Sequence, residues 1–400
     1  MSDRFSKRTE WNTEESALAQ AHRERVLAGL PIADLTASNP TRCGFTYDPN
    51  LLASLSDSRA LDYDPQPLGL LSARQAVCAY YADHAVQIGP DRVVLTTSTS
   101  EAYNFLFKLL CDPGSEVLVP QPGYPLFDFL AVLDDIRIKP APLVYDHGWQ
   151  IDPEGFRRTI TDRTRAIVLV HPNNPTGHFT KPWEAEELGR LCRDRNLALI
   201  VDEVFLDYTL GSEPVQSFAA GLEDVDVYTV SGLSKIAGLP QMKAAWIVAT
   251  GPNAQQAMAR LEVIADTFLS MNAPIQRAIP TWLSGRKQIQ QQILQRVAAN
   301  LAELDRQLAE LEILRRLGIE GGWYAVLRIP ALQLDETTVL ELLGCGVWVR
   351  PGYFFGMEES GWLVLSLLGP VEEFRTGVQA IVYYFRTHQA DNNCPVTLQP

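Results

Sequence analysis

The chain is poor in positive charge. Its 34 lysines and arginines face 48 aspartates and glutamates over 400 residues, a formal net charge of −14. Nucleic acid and anionic membranes call for a basic surface and are not expected as partners. Cysteine is scarce as well. Cys43, Cys78, Cys111, Cys192, Cys345 and Cys394 are scattered and form no C-x-x-C pair, so neither zinc spacing nor a disulfide framework is expected, and most should be buried free thiols. Long apolar runs are missing. No stretch approaches membrane-spanning length, and residues 1–15 are polar with mixed charges rather than a signal core. A cytoplasmic location is the expectation. H-E-x-x-H, G-x-x-x-x-G-K-[ST] and G-x-S-x-G are all absent, which removes the commonest metal, NTPase and hydrolase readings. There is no internal repeat and no low-complexity segment.

What the chain does have is core. It is 46% hydrophobic and 20% charged, the composition of a globular protein, and its length suggests two or three domain-sized units. Strand-like runs at 93–96, 116–119, 165–170, 197–201, 225–230 and 244–248 carry the first half. A helix over 181–195 lies between two of them, the alternation of a parallel sheet. From residue 253 the pattern turns helical, with breaks expected near Pro274 and at 284–285. A long amphipathic helix is predicted over 286–317, then strands at 323–328 and 362–367 and a closing helix over 371–387.

Three of the apolar runs end in polar residues of different chemical type. Asn174 lies in H-P-N-N-P-T-G (171–177) after the run 166–170, and Asp202 closes the run 198–201. Lys235 ends S-G-L-S-K (231–235) after the run 225–230. A lysine in a turn is ordinarily a solvated charge. Three such groups at strand C-termini instead mark the edge where open α/β sheets bind ligands. Ser98 and Thr99 open a helix that follows the strand at 93–96. Hydroxyls and free N–H groups there serve both as an N-cap and as an anion cradle.

N-P-T-G (174–177), D-E-x-[aromatic] (202–205) and S-x-x-S-K (231–235), in that order and spacing, resemble the pyridoxal-phosphate aminotransferases of class I/II. These form the aspartate aminotransferase superfamily, fold type I, and the resemblance runs from about residue 38 to about 366. It implies an α/β fold: a large domain with a mostly parallel seven-stranded sheet flanked by helices, and a smaller α+β domain made by the N-terminal segment and the C-terminal part. The expected division is 1–48 with the small domain, 49–285 as the cofactor domain, 286–390 as the small domain and 391–400 as a tail, read as disordered.

The resemblance also implies pyridoxal 5'-phosphate as cofactor and amino-group transfer between an amino acid and a 2-oxo acid by a ping-pong mechanism. Lys235 would form the Schiff base and move the proton, and Asp202 would pair with the ring N–H. Asn174 and Tyr124 would position the ring. Ser98, Thr99, Ser231 and Lys243 would surround the phosphate. Tyr63, in Y-D-P-Q-P-L-G (63–69), would reach the phosphate of a partner subunit, which implies a homodimer. The loop carrying Asn39 and Arg42 would line the substrate site, although by its residues alone it reads equally as an Asn-Pro turn.

The chain departs from the family at several positions. Ser98 stands where glycine is usual, Lys243 where arginine is usual, and Phe205 where a tyrosine often donates to the cofactor's ring oxygen. Val364 stands where the family's R-[aliphatic]-S pattern places the arginine that binds the α-carboxylate. Arg350, ahead of Pro351-Gly352, is the preferred substitute, with Arg42 second. Phe45, Tyr47, Trp348, Tyr353 and Phe354 suggest an aromatic side-chain pocket. The missing arginine keeps open a lyase, decarboxylase or biosynthetic cyclase on the same fold. A non-enzymatic ligand-binding domain is a weaker alternative, since no basic helix-turn-helix segment precedes the fold.

Overall fold

The computed structural model describes residues 4–211, 214–309 and 311–390. The tail at 391–400, with Cys394, lies outside the described residues. In chain order the helices are α1 Ala17–Leu27, α2 Leu71–Ala82, α3 Thr99–Leu110, α4 Leu126–Leu133, α5 Pro153–Thr159, α6 Pro182–Arg195, α7 Leu233–Ile236, α8 Ala254–Phe268, α9 Ala273–Leu308, α10 Asp335–Gly344 and α11 Val371–Ala390. The strands are β1 Ala33–Asp34, β2 Val93–Thr96, β3 Glu116–Gln121, β4 Arg137–Tyr145, β5 Trp149–Ile151, β6 Thr164–Val170, β7 Ala198–Asp202, β8 Val227–Gly232, β9 Ala245–Thr250, β10 Arg315–Arg316, β11 Tyr324–Arg328, β12 Val347–Trp348, β13 Arg350–Pro351 and β14 Trp362–Ser366.

The apolar runs form one sheet in the order β2-β9-β8-β7-β6-β3-β4-β5. Pairs β8–β7, β7–β6, β6–β3 and β3–β4 are parallel, while β9 and β5 run against their neighbours. The sheet therefore has eight strands among the described residues, one more than expected. The eighth is β5, which folds back on β4 through a turn in which His147 takes φ 53°. Only Trp149 and Ile151 of its three residues are buried, too short a run for periodicity to register. Strand β4 also escaped the sequence pattern, because Pro140 and Pro142 argue against a strand. It survives with both prolines in register with β3.

Helix α9 corrects a second expectation. The break expected near Pro274 is present, since α8 ends at Phe268 and α9 begins at Ala273, but the one expected at 284–285 is absent, and α9 runs unbroken for 36 residues. Pro274 sits in the first turn, where its missing N–H costs nothing, behind Asn272, whose side chain accepts from Ile275 N at 3.0 Å. Beyond it Ala278, Ile279, Trp282, Leu283, Ile289, Ile293 and Val297 are all buried. Burial of that stripe outweighs the roughly 1 kcal/mol cost of Gly285 in a helix and the larger cost of Pro280. The helix also ends at Leu308 rather than at 317. Leu311, Leu314 and Leu317 continue the burial without continuing the helix.

A second sheet, β10-β11-β14-β13, is antiparallel, and β1 pairs in parallel with β12. One apolar core joins Leu18, Leu35 and Cys43 to residues from 289 to 385, and takes in Val204, Phe205 and Tyr208 after β7. That grouping supports, as a proposal, the division into a large unit and a small unit that takes in the N-terminal segment. The proposed boundary at 285/286 falls inside α9, so one helix serves both. The five described cysteines are all free thiols.

Candidate active site

Strands β6, β7 and β8 are adjacent, with Val170 paired to Asp202 and Asp202 to Val230. Asn174 follows the end of β6, Asp202 is the last residue of β7, and Lys235 lies in the single turn of α7 that follows β8. The sheet thus brings the three together at one edge.

The Lys235 ammonium is enclosed. Burial pulls its pKa down to about 8, against the opposing pull of Asp202. Nζ donates a long bond to the Ser38 carbonyl, at 3.4 Å, and lies 5.0 Å from the Trp323 ring and 5.8 Å from that of Phe205. Both rings give the cation a partial substitute for water.

Asp202 is buried. Its Oδ1 accepts from Val204 N and its Oδ2 from the Tyr103 hydroxyl, each at 3.0 Å. Burial pushes the carboxyl up to about 6, and those two donors and Lys235 hold it from rising further. The next residue, Glu203, points to the other face of the sheet. There Ser217 Oγ and Phe218 N donate to it at 2.7 and 2.6 Å, and burial raises it to about 8.

Tyr124 follows β3 at the same edge, 43% exposed. Burial raises its pKa and so does Asp202, while Arg350 lowers it. Ser98 caps α3, accepting from Glu101 N at 3.1 Å. Its backbone is extended, at φ −161°, so the side chain replaces the usual glycine without strain. The N–H groups of Thr99 and Ser100 begin the helix and have no carbonyl within it to bond. Ser231 lies at the end of β8 and Lys243 is exposed just before β9, on the side where Gly232 pairs with Ala245.

Other expected residues stand apart. Tyr63 is 85% exposed and lines a separate cleft of about 420 Å³ with Leu269, Asn272 and Arg277. Arg42 is exposed. Asn39 is exposed too, and its side chain accepts from Thr41 N and Oγ1, which is the turn role the sequence also allowed. The atom of this loop that meets Lys235 is the Ser38 carbonyl. Arg350 is part-buried, pairs with Val364 across β13–β14, and acts electrostatically on both Tyr124 and Tyr324.

Ser38, Tyr103, Trp323 and Tyr324 were not singled out by the sequence. The strand assigned to 323–328 contained two of them, but nothing in its pattern told site aromatics from core aromatics.

Asn174 Oδ1 and Ser231 Oγ are buried without a hydrogen-bond partner. Leaving such groups unpaired costs about 1–3 kcal/mol each, so they suit a bound polar group. Ser231 Oγ can donate to an anionic arm and the Asn174 amide N–H, though not its Oδ1, to a ring oxygen; with a low-pKa amine and a buried carboxylate this fits a planar pyridine ring so substituted. Among the described residues no cluster of His, Cys, Asp or Glu could hold a metal ion, and no helix is long and apolar enough to cross a membrane.

The model of the family "Aminotransferase class I and II" matches residues 51–381. The chain belongs to that family. Amino-group transfer is the reaction that membership assigns it, and a lyase or cyclase is not favoured. An alanine aminotransferase of Mycobacterium tuberculosis is 30% identical over 343 residues, 80% of this chain and 78% of that one. The glutamate-pyruvate aminotransferase AlaA of Haemophilus influenzae is 29% identical over 271 residues, 66% of this aminotransferase and 67% of AlaA. Nicotianamine aminotransferase 1 of rice is 26% identical over 229 residues, and the chain spans 46% of its length. Among solved structures, an alanine aminotransferase from Pyrococcus furiosus superimposes with a TM-score of 0.87 at 24% identity, covering 96% of this chain and all of that one. At that identity the likeness speaks for the fold, which is that of fold type I.

Proposed function

We propose that the enzyme carries pyridoxal 5'-phosphate on Lys235 and moves an amino group between an amino acid and a 2-oxo acid in two half-reactions. The observation that carries this reading is the meeting of Lys235, Asp202 and Asn174 at the ends of three adjacent strands, with the lysine's pKa lowered to about 8. When bound, the cofactor draws electrons from the bond broken at the substrate's Cα.

The chain's own residues do the rest. Lys235 anchors the cofactor and, once displaced, is a base whose pKa lies near neutrality, where proton transfer is most effective. Asp202 pairs with the ring N–H. The Asn174 amide holds the ring oxygen, and Tyr124 lies against the ring face. Thr99, Ser98, Ser231 and Lys243 receive the phosphate, with Lys243 supplying charge but not the fork of an arginine. Arg350 receives the substrate carboxylate in place of an arginine at 364, and Arg42 is the lesser candidate. Tyr63 reaches a second copy of the chain, so the working unit is a homodimer, placed in the cytoplasm.

The test is the absorbance spectrum of the purified protein before and after a panel of L-amino acids. The alanine and glutamate named for its relatives are the first donors to try. A band of lysine-linked cofactor that converts to the amine form supports transfer and names the donor. A band that persists while ammonia appears overturns it. No band, even with cofactor supplied, overturns the cofactor assignment as well.

A further inference from the structure

Asp202 is the group proposed to keep the cofactor ring protonated, and it is held from a helix whose N-terminus is itself part of the site. Helix α3 begins at Ser98 and Thr99 and one turn later presents Tyr103, which is 3% exposed. Its hydroxyl donates to Asp202 Oδ2 at 3.0 Å, while Val204 N donates to Oδ1 at the same distance. One donor comes from the turn just after the carboxylate's strand and the other from a different element, so together they fix the rotation of the carboxyl group.

The phenol is itself immobilised. The Phe127 ring packs edge-on against it at 5.0 Å and 87°. Phe127 also meets Tyr124, at 6.1 Å and 89°. Tyr124, Phe127, Tyr103 and Asp202 are therefore linked by successive contacts, from the residue proposed against the ring face to the one proposed at the ring nitrogen.

We infer that Tyr103 is a positioning residue that aims the Asp202 carboxylate at the cofactor's ring N–H and keeps it ionised. The inference rests on the proposed cofactor reading, and it concerns a residue that would not touch the cofactor. A buried carboxylate with two donors tolerates its charge, and with one donor it drifts toward the neutral acid. Other groups act on the same carboxyl or feel it: Lys235 from α7 opposes its protonation, and Glu203 just after β7, Tyr124 after β3 and Tyr81 on α2 all sense its charge. Among the described residues only Tyr103 and Val204 hydrogen-bond to the carboxyl.

The experiment measures the dissociation constant of pyridoxal 5'-phosphate from pH 6 to pH 9 for the full-length wild type and for Tyr103→Phe. That substitution removes one oxygen and leaves the ring against Phe127, and circular dichroism checks the fold. Loss of a hydrogen bond to a charged group predicts cofactor binding about tenfold weaker, with the larger loss at the acid end. In an Asp202→Asn background the same substitution should have no further effect. Wild-type and Tyr103→Phe profiles that superimpose overturn the inference, as does an equal loss in the Asp202→Asn background. Failure of the wild type to bind the cofactor overturns the functional reading and this inference with it.

Discussion

Arg350 and Val364 stand opposite each other across the antiparallel pair β13–β14. Directly paired residues project from the same face of a sheet, so under the proposed function Arg350 is placed to supply the cation missing at 364. Replacing Arg350 by alanine should raise the KM for the amino donor about 30-fold, the effect of roughly 2 kcal/mol lost from a charge-assisted pair. The cofactor absorbance band should be unchanged. Lysine at 350 should fall between, since it lacks the fork. Steady-state kinetics of both variants decide it, and a KM equal to that of the wild type removes Arg350 from the site.

Phe205 lies buried against Trp323 at 5.1 Å, with Lys235 Nζ 5.8 Å from its ring. It has no hydroxyl to donate to a ring oxygen. A donor there favours the deprotonated form of the lysine–cofactor linkage. The linkage should accordingly titrate at higher pH in the wild type than in Phe205→Tyr, by about one unit. Spectrophotometric titration of the two proteins compares them, and coincident midpoints refute it.

Lys235 prefers to be neutral in the folded protein, at about 8 against an ordinary 10.5. Between those values the unfolded chain holds more protons, so stability rises with pH across the window; below pH 8 the full penalty of a buried ammonium is present. At pH 7, Lys235→Met should stabilise the cofactor-free protein by roughly 2 kcal/mol, less than the shift alone implies because Asp202 loses its neighbouring charge. Activity should vanish. Denaturant melts at pH 7 and pH 10 test this: a gain at pH 7 that shrinks at pH 10 is expected, and a loss at pH 7 contradicts it.

His171 is buried between the edges of Phe179 and Phe218, 5.0 and 5.1 Å away, and its Nδ1 accepts from Thr180 N. Burial first, and then the charges of His178 and Lys181, hold its pKa down to about 3. From pH 6.5 downward the unfolded chain takes up a proton that the folded one refuses. Stability should therefore fall by about 1.4 kcal/mol per pH unit from this residue alone. His171→Gln should flatten the acid limb of a plot of urea midpoint against pH between 6 and 4. An unchanged slope there speaks against it.

The groups delivered by β6, β7 and β8 were legible because each follows an uninterrupted apolar run, and burial on both faces of a parallel sheet leaves that mark on sequence. Strand β4 was not, since its prolines contradict the strand pattern they sit in. The course of α9 was hidden because a buried stripe overrode two helix-breaking residues. Tyr103 and Tyr324 could not be told from core, because a tyrosine inside a helix or strand reads the same whether its hydroxyl meets a carboxylate or a backbone carbonyl. The candidate for the missing cation was legible in part: Val364 marked the gap and Arg350 was the preferred substitute, and strand pairing added that the two stand opposite each other.

The neighbouring carboxylates at the end of β7, Asp202 its last residue and Glu203 the next, make the sheet's pleat act as a reading frame. Asp202 faces the ligand edge and Glu203 faces Ser217 and Phe218 on the reverse. Deleting any one residue from 198–201 would bring Glu203 to the place of Asp202. The shifted chain would still present an acid there, one methylene longer, but without the Tyr103 and Val204 donors set for the shorter arm. Frame, and not merely the presence of a carboxylate, is what this edge encodes.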